Sequence, residues 1–327
     1  MKTIIVGAVG RWGYGILHLV KKFSKIIAVD FSKDVQTLMQ DEAVLYCVQK
    51  LSQLQRANID YNAELMIIAI PGQYFRKFLK DNIDFLKAYS GIVVLQMKAL
   101  EVGTGKTLTE IWDEIIGTNR RVVLVGPVHS EYLVEGKPVS MVLLAEKENQ
   151  DVIDQVLELY KHPSLKLRIQ HDVQGGQIGS SLKNPVGIMV GVAIGSGYES
   201  LVGDLITRSL KEVSEVIVLK GGQKETAYGL SHLGDYAATA FCDLSHNRKY
   251  GEFLATGSGK WRGGLVEGIK TTGAFWSSVS DIESVEKSTT SNSRFPLFRA
   301  LYGILFEGYD IEDSIKALRA REIKEEF

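Results

Sequence analysis

Lys183 stands beside Asn184 and Pro185 inside a run of glycines and aliphatic residues, "SSLKNPVGIMVGVAIG" (180–195). A solvated lysine has polar neighbours, and this one has few. A lysine out of water can act as an acid/base group, with a nearby carboxylate setting its charge. Asp235 is a candidate partner, in "SHLGDYAATAFCDLSHNRKYG" (231–251). That segment also gathers Thr239, Ser245, His246, Asn247, Arg248 and Lys249, a set of donors suited to an anionic group. Asn184 adds an amide. Taken singly, each residue has a plainer explanation: a solvated lysine, an aspartate capping a helix after Gly234, an exposed charged turn. Pro185 removes one helical hydrogen bond and crowds the carbonyl four residues back, which predicts a break or kink there that turns the pair toward a cleft.

A second constellation opens the chain. "IIVGAVGRWGYG" (4–15) spaces Gly7, Gly10 and Gly13 between an apolar run and a helical pattern. Glycines there let backbone approach a pyrophosphate, and the following helix supplies amide hydrogens and the positive end of its dipole. The spacing is G-x-x-G-x-x-G, with Ala8 where the usual fingerprint begins its glycines. Asp30 ends the second apolar run, 20 residues after Gly10. A carboxylate there accepts from adenosine ribose hydroxyls and repels a 2′-phosphate, favouring NAD over NADP, although Lys33 nearby partly offsets the repulsion and leaves NADP possible. "IPGQYF" (70–75) suits a wall of the same crevice, or a plain turn.

These groups need a scaffold. The runs 3–9, 25–30, 65–70, 91–97, 122–127 and 139–145 are nearly continuous apolar stretches, as strands covered on both faces by helices must be. Helical patterns fall between them at 34–40, 73–80, 105–116 and 149–160. The alternation predicts an α/β class, with an N-terminal doubly wound (Rossmann-type) parallel sheet. Past "HDVQGGQ" (171–177) the strands stop and aliphatic residues recur every three or four positions, predicting an all-helical C-terminal domain. The expected boundaries are 1–172 for the dinucleotide-binding domain and 173–327 for the helical catalytic domain. "EKSTTSNSRFP" (286–296) is polar and ends at Pro296, which predicts a mobile loop.

Composition narrows the partners. A length of 327 residues favours two domains, and a formal net charge of −1 offers no general attraction for nucleic acid or anionic membrane. No window is long and apolar enough for an integral membrane segment. Cys47 and Cys242 are far apart and the histidines lack ligand spacing, so the expectation is free thiols, a reducing cytoplasm and no metal.

In order along the chain, these segments resemble the NAD(P)-dependent glycerol-3-phosphate dehydrogenases, and the resemblance covers most of the sequence. "QIGSSLKNPVGI" is similar to the family's lysine-asparagine segment, and "LITRSLKEVSEV" to its leucine-isoleucine-threonine-arginine helix. "HLGDYAAT" and "SHNRKYG" are similar to its glycine-aspartate turn and substrate loop, and "LVEGIKTT" to a glutamate-glycine cofactor contact. "LQMKALE" and "VGPVHSEYL" are similar to the loops bearing a second lysine and a glycine-proline turn.

The resemblance implies interconversion of dihydroxyacetone phosphate and sn-glycerol 3-phosphate, the backbone precursor of glycerophospholipids, by hydride transfer with NAD(P). It implies that Lys183 is the proton donor and acceptor, Asp235 its charged partner, and that Lys98 lies where nicotinamide and substrate meet. Asn184 and Thr239 would position substrate hydroxyls, Gly126 would contribute backbone contacts, and Ser245, His246 and Asn247 would take the phosphate. Cofactor contacts would come from Gly7, Gly10, Arg11, Trp12, Gly13, Asp30, Lys98, Ser130 and Glu267. Arg208 is expected near the site or in a structural pairing. A homodimer is implied as well.

The chain departs from the family pattern at several points. His246 stands where the family carries arginine, exchanging a permanent planar charge for an imidazole. Arg248 and Lys249 follow it and are candidates to compensate. Ala99, Val128, His129 and Pro185 also differ. These positions touch the substrate side, so two alternatives stay open: a dehydrogenase of another polyol phosphate or 2-hydroxy compound, and a nucleotide-binding sensor without turnover.

Overall fold

The computed structural model describes residues 1–56, 62–117, 120–257 and 260–320. The chain divides into two compact units, residues 1–99 with 107–177, and residues 100–106 with 178–327.

In the first unit, eight strands among the described residues form one sheet: β1 (Lys2–Val6), β2 (Lys25–Val29), β3 (Val44–Val48), β4 (Leu65–Ile68), β5 (Ile92–Leu95), β6 (Arg121–Val125), β7 (Val139–Leu144) and β8 (Leu165–Gln170). Their order, β3-β2-β1-β4-β5-β6-β7-β8, is the doubly wound arrangement extended by two strands at one edge. β4, β5 and β6 are buried throughout, and helices cover both faces. Each of the six apolar runs overlaps a strand.

Four details differ from expectation. β3 and β8 do not read as apolar runs; both are edge strands, and most of their residues are part-buried or exposed. β6 and β7 pair antiparallel, whereas β7 and β8 run parallel to one another. An antiparallel neighbour needs no long crossover, and here the connection is only the short helix Ser130–Val134 with its flanking turns. The helix expected over 34–40 is a 3₁₀ helix, Lys33–Gln40, started by the Ser32 hydroxyl accepting from the Asp34 amide.

The second unit is helical. Its central element, Val173–Gly195, begins in the first unit and is apolar around its whole circumference, so it is buried on all sides. Leu182, Val186 and Met189 join the core formed by Phe275, Trp276, Phe295 and Phe298, where the Phe275 and Phe298 rings stack at 4.0 Å. Pro185 does not break this helix, which continues past it for a total of 23 residues. The buried surface of several turns on either side outweighs one missing N–H. The helix crosses His246–Thr256 with backbones touching: a Cβ on Gly191 would lie 1.9 Å from the Arg248 carbonyl oxygen, and one on Gly251 2.0 Å from that of Ile188.

The polar stretch 286–296 is pinned down rather than projecting. Ser293 is buried and its hydroxyl donates to Glu283, while the Ser288 carbonyl accepts from buried Arg299. Glu212, buried in the helix Val202–Leu219, accepts from the Leu297 and Phe298 amides and so terminates the helix Pro296–Tyr302 at its positive end. Among the described residues, no helix is long and apolar enough to cross a membrane.

Candidate active site

In the first unit the glycine turn is closed so tightly that side chains are excluded. Gly7 has φ +86°, and a Cβ on it would sit 2.5 Å from the Ala69 carbonyl oxygen; one on Gly13 would sit 1.9 Å from the Gly7 oxygen. Gly10 precedes the helix Arg11–Val20 and its amide donates to Gly7. Asp30 holds the turn from below: one carboxylate oxygen accepts from the Val9 amide at 3.0 Å, the other from the Ser32 amide at 3.0 Å. The carboxylate thus shapes the turn as well as lining the end of β2.

Two small clusters flank the turn. Lys98 follows β5, its Nζ donates to the Gly126 carbonyl at 2.8 Å, and it lies 5.9 Å from the Trp12 ring centroid. Arg11 pairs with Glu131, which also accepts from the Ser130 hydroxyl at 3.1 Å. Ser130 begins a helix packed on Arg11–Val20, close enough that a Cβ on Gly15 would fall 2.8 Å from the Ser130 carbonyl oxygen. Glu131 has no counterpart in the sequence reading. Gly72, in the wall loop, faces Ala99, whose methyl group occupies the space a Cβ at 72 would need.

In the second unit the lysine is out of water, 8% exposed, and fully engaged with partners. Its Nζ donates to Asp235 Oδ1 at 2.7 Å and to Thr239 Oγ1 at 2.7 Å. Asp235 and Thr239 lie four apart on the helix Asp235–Ala240, hence on one face, and the Thr239 hydroxyl also donates back to the Asp235 carbonyl. Asn184, next along the lysine helix, points its amide at a second network. Its oxygen accepts from Asn247 Nδ2 at 3.0 Å and its nitrogen donates to Glu267 at 3.3 Å. The Asn247 oxygen in turn accepts from the Gly268 amide at 3.0 Å. The sequence-distant residues 183, 184, 235, 239, 247 and 267 therefore meet in one polar region, buried at Lys183, Asn184, Asp235 and Thr239 and opening toward the exposed Glu267.

The substrate loop is more divided. Ser245 caps the helix His246–Thr256, accepting from the Arg248 amide at 3.2 Å. The His246 ring lies against Gly264, where an added Cβ would approach its Cε1 to 2.5 Å. Arg248, the candidate to compensate for His246, has its guanidinium paired with Asp243 and Glu252. Lys249 is exposed. Arg208 lies one helical turn from Asp204, 3.5 Å away, which supports its structural reading.

Chemically, the second unit offers a buried ammonium oriented by a carboxylate and a hydroxyl, with paired amides beside it. That is an acid/base group with hydrogen-bonding groups for an oxygen-rich small molecule. Among the described residues, no group of three or more histidine, cysteine, aspartate or glutamate side chains is placed to hold a metal ion.

Known proteins share this organisation. Residues 5–151 match the family model for the N-terminus of NAD-dependent glycerol-3-phosphate dehydrogenase, and residues 172–316 match the model for its C-terminus. The glycerol-3-phosphate dehydrogenase [NAD(P)+] of Clostridium botulinum is 32% identical over 290 residues, covering 87% of this chain and 83% of the relative. That of Nitratidesulfovibrio vulgaris is 30% identical over 351 residues, the full length of both. The solved glycerol-3-phosphate dehydrogenase of Coxiella burnetii superposes with a TM-score of 0.84 at 22% identity, over 98% of this chain and 99% of that one, a likeness of fold.

Proposed function

The chain belongs to the NAD-dependent glycerol-3-phosphate dehydrogenase family, and from that premise we propose how its own residues interconvert dihydroxyacetone phosphate and sn-glycerol 3-phosphate. It is an NAD(P)-dependent oxidoreductase. The single observation that carries the residue assignment is the Lys183 ammonium, buried and gripped by Asp235 and Thr239.

The glycine turn fits a dinucleotide. Its backbone is bare where side chains on Gly7 or Gly13 would collide, and it leads into a helix N-terminus, the arrangement that admits a pyrophosphate. Gly7, Gly10, Arg11, Trp12, Gly13 and Ser130 would hold the dinucleotide, with Asp30 at the ribose, Lys98 toward the nicotinamide, and Glu267 as a further contact. When bound, the nicotinamide supplies or receives the hydride.

The protein's part is the proton and the placement. In the reducing direction Lys183 gives a proton to the ketone oxygen as the new C–H bond forms; in reverse it takes the proton from the hydroxyl. Asp235 and Thr239 fix the amine on that line. Each amide nitrogen of Asn184 and Asn247 carries two N–H groups, one of which serves the internal network, leaving one to orient substrate oxygens. Ser245, His246 and Asn247 receive the phosphate, and Gly126 contributes backbone to the region of Lys98. The Asp30 carboxylate supports NAD over NADP. Operation as a cytoplasmic homodimer belongs to the same proposal; it rests on the family resemblance.

A second reading is favoured by the substrate loop. Arg248 is committed to two carboxylates, so a smaller or less charged polyol or 2-hydroxy compound is the competing substrate class. The test is the ratio of kcat/KM for dihydroxyacetone phosphate over unphosphorylated dihydroxyacetone, with NADH, in the native protein and in His246→Arg. A large ratio supports the phosphorylated substrate. A ratio near one contradicts it.

A further inference from the structure

His232 lies three residues before Asp235, completely buried, and takes no part in the proton transfer just described. It sits in a π-helical turn, Leu230–Gly234, that feeds directly into the helix bearing Asp235 and Thr239. Its Nδ1 lies 2.7 Å from the Gly179 carbonyl oxygen. In an α-helix that carbonyl also accepts the amide of the residue four positions on, here Lys183. One carbonyl oxygen therefore ties the backbone of the lysine to the turn that carries its carboxylate partner.

The fit around this bond is specific. A Cβ on Gly179 would fall 2.8 Å from the His232 Cβ, so the absence of a side chain at 179 is what lets the turn close on the helix. The imidazole stacks on Tyr236 at 6.3 Å with 13° between ring planes, which fixes its orientation from the other side. Pro185 leaves the Ser181 carbonyl without its usual amide donor two residues before the reactive amine. The helix lacks one backbone hydrogen bond there, and the His232 contact adds one at Gly179, less than a turn earlier.

We propose that His232 is a positioning residue, locking the turn that bears Asp235 onto the helical turn that bears Lys183 so that carboxylate and amine meet in the reacting geometry. The proposal rests on the dehydrogenase reading above. The role requires a proton on Nδ1, since a carbonyl oxygen accepts only from N–H. Burial keeps the ring neutral, pushing its pKa down to about 4 against the smaller opposing influence of the Gly179 bond and Asp235, and the Gly179 carbonyl selects the tautomer with the proton on Nδ1. The charged or titratable groups around it are Asp235, Lys183 and the Tyr236 phenol, whose own pKa is raised by burial.

The experiment compares native protein with His232→Leu and His232→Asn. The asparagine amide nitrogen can take the place of Nδ1; leucine fills space without a donor. For the leucine variant the expected result is kcat lowered about tenfold with KM little changed, the size of one hydrogen bond felt only in the reacting geometry. The asparagine variant should recover to within about threefold of native. Should the leucine variant fail to fold, His232→Phe keeps the stacking on Tyr236 and serves the same comparison. Native-like kcat without the donor, or an asparagine variant as slow as the leucine one, overturns the proposal while native turnover upholds the functional reading. No turnover by the native protein overturns both.

Discussion

Replacing Asp235 by asparagine keeps the shape of the partner and removes its charge. Lys183 Nζ and Asp235 Oδ1 stand 2.7 Å apart, both almost out of water. At that separation and an effective dielectric near 20, two unit charges attract by about 6 kcal/mol, an upper figure before desolvation is counted. Measured losses on removing one member of a buried pair run about 3–5 kcal/mol. If that loss is felt in the transition state, at about 1.4 kcal/mol per factor of ten, kcat/KM falls roughly 10²- to 5 × 10³-fold. The assay is oxidation of NADH by dihydroxyacetone phosphate at saturating cofactor, with circular dichroism to confirm the fold. Because Thr239 still accepts from the amine in Asp235→Asn, the side chain keeps one anchor and the variant should stay folded. A folded Asp235→Asn protein within fivefold of native kcat/KM would refute the reasoning, since the carboxylate would then be structural.

Two further outcomes follow from other parts of the structure. Gly13→Ala places a methyl group against the Gly7 carbonyl, 1.9 Å in the native geometry, so NADH affinity measured by calorimetry should drop at least about tenfold; unchanged affinity removes the glycine turn from the cofactor site. For His232, the ordinary imidazole value near 6.5 is depressed to about 4 in the fold. Between those values the unfolded chain binds a proton that the native state refuses. The contribution is therefore complete above about pH 6.5 and is lost progressively as pH falls toward 4, amounting to about 3 kcal/mol. Urea midpoints at pH 7 and pH 5 should differ less in His232→Asn than in the native protein; equal differences contradict the burial argument.

The buried centre of the sheet was legible because strands covered on both faces must be apolar throughout, as "LMIIAI" and "VVLVGP" are. Edge strands escape that rule. Tyr46 in β3 is 39% exposed and β8 alternates lysine and arginine with aliphatic residues, so neither reads as a continuous run. Strand direction at β7 is fixed by the geometry of its connection, which composition does not encode. The lysine, asparagine and aspartate could be proposed from residue types against an apolar background, and the structure brings them together with Thr239 and Asn247. Their depth could not, nor could the engagement of Arg248 by Asp243 and Glu252, because partners far along a helix surface depend on rotamers. At Pro185 the helix continues unbroken, because the penalty of one missing hydrogen bond is local while the burial that holds the helix extends over its whole length. His232 opens "HLGDYAAT", but nothing in that motif assigns the imidazole a role. Its signal is a distance to a backbone oxygen 53 residues away.

The central claim is that the Lys183 amine moves the proton, and turnover of dihydroxyacetone phosphate with NADH by native protein and by Lys183→Met tests it most directly. The methionine fills much of the same space without an ionisable group. Native protein should oxidise NADH steadily and the variant at least about a thousandfold more slowly, with NADH binding retained. Equal rates in the two proteins, both folded, would contradict it.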